Sequence, residues 1–123
     1  VTVHLALDDI VAVTGDEHLV KDAGVLESAL HRPQSAMFGV ESYPDVWEKA
    51  AALADSLANN HPLHDRNKRT AYEAVLLFLH FNDEPFRLPE DPDAPGEHMV
   101  AVATHRFAGI PEAAGALRTL LGR

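Results

Sequence analysis

Apolar residues recur at intervals of three and four along most of this chain, the spacing that gathers them on one face of an α-helix. Alternation with period two is suggested only in "VTVHLAL" at the N-terminus. The pattern therefore predicts a mostly α domain. A first helix is expected from Asp8 to Thr14, closed by Gly15, and a second over "GVLESALHR", Gly24 to Arg32, stopped by Pro33. A polar connector separates them. From Pro33 to Pro44, prolines and a glycine interrupt any helical stripe, which predicts an ordered loop or short hairpin whose Met37, Phe38 and Tyr43 pack or bind something.

The third helix is well signalled. Asp45 can cap it, Glu48 stands at the capping-box position, and Trp47, Ala50, Leu53, Ala54 and Leu57 form one apolar face that should end near Asn59 and Asn60. A fourth helix, from about Lys68 to Asn82, is apolar on nearly all sides and is expected to be the central helix of the bundle, with Leu76, Leu77, Phe78 and Leu79 in the core. The acidic, proline-rich "DEPFRLPEDPDAPGE" reads as a connector. Two further helices follow over "EHMVAVATHRFAG" and "PEAAGALRTLLG", the last with Pro111 in its first turn.

Composition narrows the range of functions. At 123 residues and 46% hydrophobic content, residues 1–123 fit one globular domain with a real core. Nineteen acidic against ten basic side chains give a formal charge of −9, which disfavours a sequence-independent hold on DNA or RNA. The chain has no cysteine, so neither a disulfide framework nor a thiolate zinc site is available. With no membrane-length apolar run and no signal-peptide pattern, the expected setting is cytoplasmic, with no membrane partner.

Chemistry concentrates in "HPLHDRNKRT", His61 to Thr70, which should join the third helix to the N-terminus of the fourth. The first N–H groups of a helix lack internal acceptors and the macrodipole adds positive charge, so an anion binds well there. Lys68 and Arg69 oppose the dipole in that first turn, so either an anion is expected beside them or they simply face water. His61, fixed at a corner by Pro62, carries an imidazole suited to taking a proton from a hydroxyl. Asp65 is a candidate Mg²⁺ ligand that would act together with phosphate oxygens. A base, a metal ligand and a phosphate cradle are the parts of phosphoryl or nucleotidyl transfer. The rival reading is a zinc site built on His61, His64 and Asp65, disfavoured by the flanking cations.

"HPLHDRNKRTA" resembles the signature loop of the Fic/Doc family in its Doc, or death-on-curing, form. "GVLESALHRPQ" and "YPDVWEKAAALADSLANNHP" agree with it, and the likeness extends from near the N-terminus to about Leu88. The resemblance implies a six-helix bundle with a short flap, ATP with Mg²⁺, and transfer of phosphate to a threonine of elongation factor Tu, which halts translation. It also implies a Phd-like antitoxin partner. Carried over by position, His61 would be the base, Asp65 the Mg²⁺ ligand, and Asn67, Lys68 and Arg69 the phosphate holders, with Leu63 as the anchor beneath the loop. Ser35 to Tyr43, with Met37, Phe38 and Gly39, would be the flap that docks the target by strand addition.

Two departures bear on the chemistry. Lys68 and Tyr72 stand where AMP-transferring Fic proteins have glycine and arginine, which favours kinase-type transfer over AMP transfer, with a catalytically silent binding module as a further alternative. Arg66 stands where such loops carry alanine or glycine. It would obstruct ATP, swing out as a further phosphate clamp, or detoxify the chain.

Overall fold

The computed structural model describes residues 1–123 and is built from six α-helices and one small hairpin: α1 (Leu7–Thr14), α2 (Ala23–His31), β1 (Ala36–Met37), β2 (Val40–Glu41), α3 (Val46–Asn60), α4 (Asn67–Phe81), α5 (Ala94–Ala103) and α6 (Ile110–Leu120). The helices begin and end largely where the local chemistry directs. Gly15 adopts φ 72 and returns its N–H to Val11, ending α1. The Asp22 and Asp45 carboxylates cap α2 and α3 by accepting N–H groups of Val25 and Glu48 at 3.0 and 2.7 Å. Pro33 ends α2 in a 3₁₀ turn over Arg32–Gln34.

Three expectations change. The central helix is α3, not α4: ten of its fifteen residues are buried, and it packs against α2, α4, α5 and α6. Its alanines, from Ala50 to Ala54 and at Ala58, carry little hydrophobic bulk but let four neighbours approach closely, a property that counting large apolar residues misses. In α4, Phe78 and Leu79 are buried while Leu76 and Leu77 are only half-buried. Second, "VTVHLAL" forms no strand: Val3 instead exchanges both backbone hydrogen bonds with the Asn82 carboxamide, at 2.7 and 2.8 Å. Third, α5 begins at Ala94, inside the expected connector, with Pro95 in its first turn, and ends at Ala103, leaving Phe107 outside.

One contiguous core of 24 buried residues runs from Leu5 to Leu121 and draws on all six helices. No helix is long and apolar enough to cross a membrane. For the site, the consequence lies in the α3–α4 contact. Two helices packed along their length hold the ends of the segment between them at a fixed separation.

Candidate functional site

The segment between α3 and α4 is tied on both sides. Its Leu63 is buried and forms an antiparallel bridge with Val20 of the α1–α2 connector. The same connector donates the Lys21 and Asp22 N–H groups to the Pro62 carbonyl at 2.9 and 3.2 Å, and its Leu19 carbonyl accepts the His64 N–H at 2.8 Å. From below, the Asn67 carboxamide accepts the Leu63 N–H and donates to the Leu63 carbonyl, each at 3.0 Å. Asn67 at the start of α4 thus repeats the device of Asn82 at its end: one side-chain amide acts as a partner strand for one residue. The Asn67 side chain is spent on loop shape, and what it leaves toward an anion is its backbone N–H.

Within that frame the loop is bent twice into left-handed backbone. His61 closes α3 at φ 49, and Arg66 precedes α4 at φ 63. Residues with a Cβ occupy this region at a cost of about 1 kcal/mol, and such strain collects at functional sites. It also explains the small residue expected at position 66, since glycine enters this region freely. The His61 side chain is exposed at a corner whose next residue, Pro62, is buried.

The N-terminus of α4 has no side-chain cap. The Thr70 N–H returns to the Arg66 carbonyl, while those of Asn67, Lys68 and Arg69 find no acceptor in the protein. Three unpaired donors, the helix dipole and two exposed cations therefore converge, the arrangement that recruits phosphate. Asp65 sits at the rim with one carboxylate oxygen on the Arg66 N–H at 2.8 Å. Its other oxygen is available to a hard cation. No three His, Asp or Glu side chains come together, so the His61, His64 and Asp65 zinc set does not form. A lone carboxylate fits Mg²⁺, which keeps water and phosphate oxygens among its ligands.

Beside this helix end opens a cleft of about 720 Å³, a size suited to a nucleotide, lined by Lys68, Arg69 and Tyr72 of α4 and by residues of α5 and its C-terminal turn. Pro95, Met99 and Val100 supply apolar wall, Asp93 and Glu97 acidic groups, and Arg106 a further cation. The α5 contribution went unread in the sequence, where "PDAPGE" and "THRF" carry no motif. Burial pushes the Tyr72 hydroxyl above its usual pKa, and that oxygen has no partner in the protein. Arg69 bonds Glu73 at 3.2 Å, one turn on.

The expected flap is a hairpin turned by Phe38 and Gly39, whose φ values of 52 and 78 make a tight two-residue turn. Met37, Phe38 and Val40 are exposed, Phe38 at 98%. Its foot is anchored. The Ser42 N–H bonds the Ser35 carbonyl, Arg32 donates to the Tyr43 hydroxyl at 3.2 Å and pairs with Asp55, and the buried Lys49 ammonium bonds the Tyr43 carbonyl and pairs with Glu41 at 3.2 Å.

Comparison with known proteins bears directly on this arrangement. Residues 4–79 match the Fic/DOC family. Over 90 residues, 73% of this chain and 69% of the relative, the sequence is 48% identical to a protein named Toxin Doc from Mycolicibacterium smegmatis. Over 104 residues, 84% of this chain and 78% of the relative, it is 34% identical to Protein kinase doc of Escherichia phage P1.

Proposed function

We propose a phosphotransferase of the Doc toxin kind, because this chain belongs to the Fic/Doc family and sets a lysine, where AMP-transferring relatives have glycine, at the anion-binding start of α4. The observation that carries the reading is the uncapped α4 N-terminus, its free N–H groups and cations opening on a nucleotide-sized cleft at the end of the loop that carries the exposed His61. ATP is the donor, a protein hydroxyl the acceptor, and a threonine of elongation factor Tu the expected target. That target sets the action in the cytoplasm, and a Phd-like antitoxin is the expected partner.

His61 takes the proton from the acceptor hydroxyl as its oxygen attacks the γ-phosphorus, and ADP leaves with the electrons of the broken P–O bond. The amides of Asn67, Lys68 and Arg69 with the last two side chains would hold the phosphates, and Asp65 would hold the Mg²⁺ ion. Mg²⁺, when bound with the nucleotide, neutralises phosphate charge. The hairpin offers an exposed strand edge and an apolar tip to the target backbone, and its strained, exposed Phe38 is a group that stability alone does not favour.

The test uses ATP labelled at either the α or the γ position, with purified elongation factor Tu as acceptor. Transfer of the γ label, lost in His61→Ala, supports the reading. Transfer of the α label makes the chain an AMP transferase. Transfer of neither, with partner binding retained, makes it a binding module.

A further inference from the structure

The cleft beside α4 has a wall beyond the residues that match the family model. The family match ends at residue 79, whereas α5 and its C-terminal turn lie beyond it. At that turn His105 enters the left-handed region at φ 56, and the Arg106 N–H reaches back to the Ala101 carbonyl at 3.0 Å. This closes the helix in the pattern normally made with glycine and brings Arg106 to the cleft lined by Lys68.

Neither of these two cations has an ion-pair partner. None of the five ion pairs in the protein includes Lys68 or Arg106, and neither side chain makes a hydrogen bond. Four of the ten lysines and arginines find acids: Arg32 has Asp55, Lys49 has Glu41, Arg69 has Glu73 and Arg123 has Glu84, and of the six that do not, Lys68 and Arg106 line the same cleft. The cleft also holds the carboxylates of Asp93 and Glu97, yet neither pairs with Lys68 or Arg106, so two cations from separate elements remain free to contact an anion from outside. The apolar surface of Pro95 and Val100 beside them suits a flat heterocycle, so the fitting anion is one that carries a base.

We propose that Arg106 is a nucleotide-binding residue, contacting the polyphosphate of a bound nucleoside triphosphate from the α5 wall while α4 holds it from the other element. The inference rests on the phosphotransferase reading and deepens it. It makes α5 and its C-terminal turn part of the site and not only packing for α3.

Calorimetric titration of the full chain with ATP, AMP and adenosine in the presence of Mg²⁺ tests it, comparing wild type with Arg106→Gln and Arg106→Lys. Arg106→Gln is expected to weaken ATP about tenfold, the scale of one charge-assisted contact, to weaken AMP less, and to leave adenosine unchanged. Arg106→Lys should recover part of the loss, and the difference between wild type and the Gln variant should narrow at high salt. Equal ATP affinity in wild type and Arg106→Gln overturns the assignment while γ-label transfer by wild type keeps the phosphotransferase reading. An equal loss for ATP and adenosine also overturns it, since the effect would then be on cleft shape. If wild type binds no ATP and transfers no label, both readings fall together.

Discussion

The loop from His61 to Arg66 and the hairpin from Ala36 to Glu41 both interrupt the helical bundle and both hold residues in left-handed backbone, but they are secured in opposite ways. The loop is bonded backbone to backbone by the α1–α2 connector and clamped by Asn67, with Pro62 and Leu63 buried beneath it. The hairpin is held only at its foot, by Lys49 and Arg32, and its tip is exposed. Chemistry on a phosphate needs atoms fixed to a fraction of an ångström, which requires many short-range ties. Recognition of a second polypeptide needs unpaired edge and apolar surface, which requires their absence. The strain at His61 and Arg66 is sustained by the ties around them. At Phe38 it is sustained by the two-residue turn alone.

Substitutions can break this contrast, and the largest effect belongs to the loop. His61→Ala should lower phosphotransfer by about 10²-fold or more while unfolding stability changes little, because the imidazole is exposed and contributes no packing. Full activity in this variant, measured with γ-labelled ATP, removes His61 as the base.

Asn67→Ala should come next. It strips both partners from the buried Leu63 backbone, at a cost of about 2–3 kcal/mol in urea denaturation, and it should reduce activity through loss of loop shape. If stability is unchanged but ATP affinity falls, the carboxamide is a ligand and not a clamp.

Arg66 separates two effects that the sequence merges. Arg66→Gly removes both the side chain and the left-handed strain, so it should stabilise the fold by about 1 kcal/mol, whereas Arg66→Ala leaves φ strained and should be near neutral. Both should raise ATP affinity if the guanidinium obstructs the cradle. A fall in phosphotransfer in both makes Arg66 a working clamp.

For the hairpin, Phe38→Ser should leave stability within about 0.5 kcal/mol and raise KM for the protein acceptor without lowering ATP affinity. An unchanged KM would show that the tip does not dock the target.

The smallest effect is on pH. Burial holds the imidazoles of His98 and His4 below their ordinary value of 6.5, so below that value the unfolded chain binds more protons than the folded one. Stability should therefore be fully present above pH 6.5 and decline as the pH falls beneath it. Thermal melts of His98→Leu should show a shallower decline, and an unaltered slope would exclude His98 as a contributor.

The helices, their caps and the Doc-type loop could be read along the chain because each depends on residues within one or two turns. Asp45 and Gly15 act on their own neighbours, and the order of His61, Asp65, Lys68 and Arg69 is itself the motif. What depends on distant residues could not be read. The strap of Leu19 to Asp22 on Pro62 and His64 is a backbone pairing that leaves no trace in side-chain type, and nothing around Asn82 in the sequence names Val3, 79 residues away, as the partner of its carboxamide. The enclosure of α3 arises because small side chains draw four helices inward, and the place of Arg106 in the cleft is set by a turn far from the motif it faces. Local chemistry determines where an element starts and what it carries. Which elements meet is decided by burial summed over the whole core, and only that sum brought a connector, a loop and the end of a later helix to one site.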